Sequence, residues 1–183
     1  MDETLRRRAQ ALQRPLSPLP RKPADAAMVP RCDADSHIEF TAMEVAYARH
    51  GGMLPANEVI ERMRGQCEQP ISVLAKWIVA GAMITVDWRF DIFIPMFQID
   101  PHSRGLRPGC REIVAELRHV MSDWEIARWF ATSDPRLGGL APIDMLAASW
   151  RDVFQAARAT RSILRDSGAV KSRRMGPPPA SPR

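Results

Sequence analysis

The segment from Trp124 to Leu146 constrains the fold most, because one short stretch holds the end of an aromatic-rich helix, a tight turn and the start of another helix. Trp124, Ala127 and Phe130 recur at helical spacing. Gly138 or Gly139 then supplies the positive φ that a reversal needs, and Pro142 suits the first position of a new helix, where its missing N–H costs nothing. Short helices joined this closely can bury their apolar stripes only against one another. The same period holds on either side, at Ile113, Val114, Leu117 and Val120, then at Ile143 and Leu146, and then at Val153, Phe154 and Ala157. The spacing predicts a compact helical bundle over residues 101–166.

Residues 38–100 read differently. Thr41 is placed to cap a helix over Ala42 to His50 that stops at Gly51-Gly52. A second helix starts at Pro55, with Val59, Ile60 and Met63 as its apolar stripe. A third runs from Pro70 to Ala80, with Ile71, Leu74, Trp77 and Ile78 on one face, and closes at Gly81. Ile84 to Ile94 alternates and is rich in β-branched and aromatic residues, which predicts a hairpin turning near Arg89-Phe90 before Pro95. The fold class expected is therefore mainly α: a small winged helix-turn-helix, a compact C-terminal helical bundle and disordered termini. Residues 1–37, rich in Pro, Arg, Ala and Asp, have too little apolar bulk to offset ordering entropy and are expected to be an arm with at most a short helix near Glu3 to Gln13. Residues 167–183, with Gly168, Gly176, three consecutive prolines and a basic cluster, are expected to be a tail.

The formal charge of +5 and the pI of 9.7 invite a nucleic-acid reading, but the location of the charge weakens it. Residues 38–164 hold fourteen basic side chains against fifteen acidic ones, so the excess sits at the two ends. Within the helix-turn-helix, Ser72 and Lys76 would face a major groove, with Arg62, Arg64, Gln66 and Gln69 close by and Arg89 on a phosphate at the wing tip. From Pro55 to Arg89 four basic residues meet four acidic ones. Two readings stand: operator DNA binding, and a helix-turn-helix used for packing or dimerisation.

Catalytic chemistry finds no support in the sequence. Cys32, Cys67 and Cys110 are widely spaced, without a CxxC pair or a His at zinc-ligand distance. Leu137-Gly138-Gly139 lacks the lysine and strand-helix context of a phosphate loop, and no cofactor is expected. The pairs Glu112 with Glu116 and Asp144 with Asp152 have no His or nucleophile spaced to cooperate, and read as a solvated face. Trp77, Trp88, Trp124, Trp129 and Trp150 sit among apolar neighbours and read mostly as core. No signal peptide or membrane span is apparent, so a cytoplasmic, non-enzymatic protein is expected.

With Trp129-Phe130, Asp134-Pro135, Leu137, Gly139, Pro142 and Leu146 in order, the stretch resembles the toxin-binding domain of the Xre/MbcA/ParS antitoxin family. The likeness extends back through Pro95 to Asp100 and the Ile113 to Val120 helix, and forward to about Ala159, roughly a third of the chain. Asp134 stands where the family usually has Asn. The resemblance implies an antitoxin that binds and blocks a RES-type, NAD-acting toxin and represses its own operon through the helix-turn-helix. The toxin-facing surface it implies comprises Trp129, Arg136, Leu137, Gly138, Gly139, Arg151, Arg158, Arg161 and Arg165, an arginine taking the place of the cofactor's phosphate contacts. The alternative is a standalone DNA-binding regulator or homodimeric interaction module without a toxin. A two-fold dimer is the default expectation for either.

Overall fold

A computed structural model of the chain describes residues 34–174, apart from Gln66 and Arg104. The expected N-terminal helix near Glu3 to Gln13, Cys32 and the extreme C-terminus lie outside the described residues. Seven α-helices and a three-stranded sheet follow in the order α1 (Ala34–Tyr47), β1 (Met53–Pro55), α2 (Ala56–Arg64), α3 (Pro70–Val79), β2 (Val86–Trp88), β3 (Asp91–Pro95), α4 (Cys110–Leu117), α5 (Asp123–Ala131), α6 (Pro142–Met145) and α7 (Trp150–Arg174). The fold is mainly helical, with a winged-helix-type N-terminal region and a C-terminal helical bundle. Among the described residues, no helix is long and apolar enough to cross a membrane.

The wing forms where the alternation predicts it. β2 and β3 pair antiparallel, Val86 opposite Phe93 and Trp88 opposite Asp91, and the turn holds Arg89 at a φ of 56°. The third strand is not foreseen from the sequence. Met53 to Pro55 pairs with Pro95 to Phe93, which gives the order β1-β3-β2 and makes Pro55 the last strand residue and helix cap rather than part of a first helical turn. Only three residues long and ending in Pro, β1 has no periodicity to read; its partner β3 defines it.

Two helix boundaries also move. Thr41 is not a cap but an interior residue of α1, which begins at Ala34 and whose Phe40, Met43 and Tyr47 share one buried face over two turns. Residues 34–37 are thus helical rather than part of an arm. At the other end α7 runs through Ser167 to Arg174, so the helix, and not a tail, occupies residues 167–174. The expected stop at Gly51 does hold: a short 3-10 turn over Ala48–His50 ends on Gly51 in the left-handed region.

One apolar cluster spans both halves. Phe40 of α1 stacks on Trp88 of the wing at 4.6 Å between centroids and lies 6.5 Å from Trp124 of α5, while Phe97 meets Tyr47 at 5.4 Å and Phe130 at 4.7 Å. Val59, Leu74, Met83 and Ile94 form a smaller core beneath α2 and α3. The residues expected to divide at position 100 therefore share their principal core, and α1 is the element that joins them.

Candidate functional site

Two surfaces carry the residues that the sequence singles out. On the first, α2 and α3 are joined through residues 65–69 and α3 faces outward, its Leu74 buried and its Ser72 and Lys76 exposed on one face, one turn apart. Gln69 immediately precedes the helix and is exposed. Ile71, expected on the buried stripe, is exposed instead, as is Val79. Both basic neighbours are neutralised locally: Arg62 pairs with Glu58 at 2.8 Å and Arg64 with Glu61 at 3.2 Å. Arg89 lies over the Trp88 ring at 5.9 Å, leaving Phe90 at the wing tip 99% exposed. The face that would meet DNA is thus as apolar as it is basic. Gln66 lies outside the described residues.

The second surface is built on the turn between α5 and α6. Ser122 caps α5 through a reciprocal box with Glu125, which fixes where that helix starts; the chain leaves the helix at Thr132 in extended conformation. Asp134, buried after it, organises the reversal. Its carboxylate accepts from the Arg136 backbone N–H at 2.8 Å and from the Arg136 guanidinium at 2.9 and 2.7 Å. That guanidinium holds the Asp134 carboxyl below the usual carboxylate range. Arg136 Nη2 also donates to Thr160 Oγ1 of α7 at 2.8 Å, tying the turn to the long helix. Leu137 is buried beneath, and Gly138 and Gly139 both take positive φ, at 68° and 81°, with nothing near enough to meet a Cβ. Leu140 follows them, 49% exposed. The result is a hydrogen-bonded shoulder beside α7.

Of the other expected toxin-facing residues, Arg151, Arg158 and Arg165 are exposed on α7, Arg151 with its guanidinium 5.2 Å from the Trp150 ring centroid. Arg161 is turned inward. It donates to Glu116 of α4 at 3.0 Å, with Arg158 at 4.0 Å from the same oxygen. Glu116, 19% exposed, is therefore an anchor between α4 and α7 rather than a member of a solvated face. Trp129 is partly buried, edge-on to Phe130 at 5.1 Å, and packs against the main apolar core.

The fold also makes contacts that sequence spacing hides. His50 Nε2 lies 2.9 Å from Asp144 Oδ1, so a His does meet one of the carboxylates read as isolated, across 94 positions. The pair fastens the end of α1 to α6. Gln98 is fully buried: its Oε1 accepts from Ile84 N at 2.7 Å, and its Nε2 donates to Ile84 O and Pro95 O, both at 3.1 Å. Arg118 donates to both oxygens of Asp123 at 2.9 and 2.7 Å and to Met83 O at 2.7 Å, closing the base of the wing on the α4–α5 turn. Burial pushes the Cys110 thiol up to about 12, which keeps it protonated and a poor nucleophile. Among the described residues no group of three or more His, Cys, Asp or Glu side chains is placed to hold a metal ion. Compared with known protein families, with curated proteins and with solved structures, the chain matches none.

Proposed function

We propose that this chain is an antitoxin-like protein that works by binding another protein, with the shoulder from Asp134 to Leu140 and the exposed arginines of α7 as its contact surface. The observation that carries the reading is the shoulder itself. A buried carboxylate, a guanidinium and Thr160 pre-order a turn whose outer residues are two glycines and a half-exposed leucine. Pre-ordering of this kind lowers the entropic cost of association, and glycines without side chains let a partner's backbone approach closely. Arg151, Arg158 and Arg165 add exposed guanidinium groups on another side of α7, Arg158 toward Glu116 of α4, suited to acidic or phosphate-binding pockets. The resemblance of Trp124 to Leu146 to the toxin-binding domain of the Xre/MbcA/ParS family makes a RES-type, NAD-consuming toxin the partner of choice.

The test is NAD consumption by such a toxin from the same genome, titrated with the purified chain. Arg161 is unsuitable for substitution because Glu116 depends on it, so the informative variant combines Leu140→Asp, Arg158→Ala and Arg165→Ala. Inhibition by the wild type, weakened at least about tenfold in the variant at unchanged helicity, supports the proposal, since one or two lost anchor contacts are worth ~2 kcal/mol or more. Equal inhibition by both proteins removes this surface from the account. Operator DNA binding is a second reading, favoured by the winged-helix topology with α3 outermost. It predicts affinity that falls steeply with salt and drops on Lys76→Ala and Ser72→Ala.

A further inference from the structure

The first helix is apolar on two opposite faces. Phe40, Met43 and Tyr47 enter the core, but the reverse side presents Ile38 at 69% and Val45 at 71% exposure, with Thr41 and Ala42 between them, forming a shallow apolar trough. An apolar stripe along a helix is normally covered by another element. The exposed side has a particular spacing. Asp35, Ile38, Ala42 and Val45 follow one another along α1 at intervals of three, four and three residues, the seam spacing of a two-stranded coiled coil, and Arg49 stands four residues further on, in the 3-10 turn that continues the helix. The charges stand at its ends, and among the described residues neither Asp35 nor Arg49 has an ion pair.

We infer that this face pairs α1 with α1 of a second copy of the chain, antiparallel, about a two-fold axis near Ala42. That arrangement sets Ile38 of each copy beside Val45 of the other and Asp35 of each beside Arg49 of the other, so both charges at each end are answered. Parallel pairing would oppose like charges. The small Ala42 at the axis lets the helices approach closely. The inference rests on α1 and the turn that follows it and does not depend on what the shoulder binds. Two helices of 14 residues bury an area at the low end for a specific interface, so the dimer is expected to be weak, with a dissociation constant on the order of 1 to 100 μM.

Sedimentation of the full chain over a concentration series tests this. The wild-type mass doubles from 20.6 kDa as concentration rises through that range. The double variant Ile38→Glu, Val45→Glu keeps its circular dichroism and stays monomeric, because the outer face contributes nothing to the core. Asp35→Arg alone weakens association by about tenfold, and adding Arg49→Asp restores most of it. A wild type that remains monomeric throughout overturns the inference, as does a double variant that still dimerises. Failure of the swapped pair to recover overturns the antiparallel arrangement.

Discussion

At the scale of single residues, buried polar groups carry the sharpest consequences. Gln98 acts as a substitute strand: its amide satisfies both backbone groups of Ile84 and the carbonyl of Pro95. Gln98→Leu fills the same space and leaves all three unanswered, so unfolding in urea should show a loss of about 3 kcal/mol. A loss near zero would mean that water replaces the amide. Cys110, held protonated by burial, should resist alkylation in the native protein while the half-exposed Cys67 reacts, a contrast that peptide mapping after brief iodoacetamide treatment reads directly. Asp134 sets a pH dependence. Its carboxyl is depressed in the fold relative to the unfolded chain, so the stability it contributes is fully present above the ordinary carboxylate range and is lost as pH falls through the depressed value. Asp134→Asn keeps an acceptor for the turn but not the charge. Urea midpoints should therefore decline less steeply for the variant than for the wild type below about pH 4. None of these three roles follows from spacing, since each depends on a partner that only the fold supplies.

At the scale of elements, what was legible had local causes. The α3 helix shows a Pro start and an apolar stripe, the wing shows alternation, and the reversals at Gly51, Gly138 and Gly139 show residues that tolerate positive φ. Elements with non-local causes were not legible. The β1 strand exists because β3 offers it an edge, and the early start of α1 depends on Phe40 finding Trp88 and Trp124. The Ser122-x-x-Glu125 box was a readable signal for the start of α5. Of the candidate site, the turn at Gly138 and Gly139 and the exposed arginines of α7 could be located from sequence, whereas the inward turn of Arg161 could not. Gly109 offers a test of how tightly the second half is packed. It precedes α4 at a φ of 82°, and a Cβ there would stand 2.6 Å from the Trp150 ring. Gly109→Ala should cost about 2 to 4 kcal/mol, from the left-handed backbone and the clash together, measurable as a lowered urea midpoint. A change below about 0.5 kcal/mol would show that Trp150 moves freely.

At the scale of the whole molecule, the winged-helix region and the bundle are joined by shared aromatic rings and by the Arg118 clamp on Asp123 and Met83. Tryptophan fluorescence and far-ultraviolet circular dichroism should follow a single coincident unfolding transition. Phe40→Ala, which removes the ring that both halves contact, should cost about 3 to 5 kcal/mol and lower both signals together. The shared core frames the proposed binding surface: the shoulder stands on halves packed through one apolar cluster, with charge locally balanced on the helix-turn-helix side. The most direct measurement is capture of partners by the tagged chain from its native extract at moderate salt, with and without nuclease, beside the Leu140→Asp, Arg158→Ala, Arg165→Ala variant. The account predicts an NAD-consuming protein retained by the wild type in both samples and lost by the variant. Recovery of nucleic acid alone, abolished by nuclease and unaffected by the variant, would contradict it.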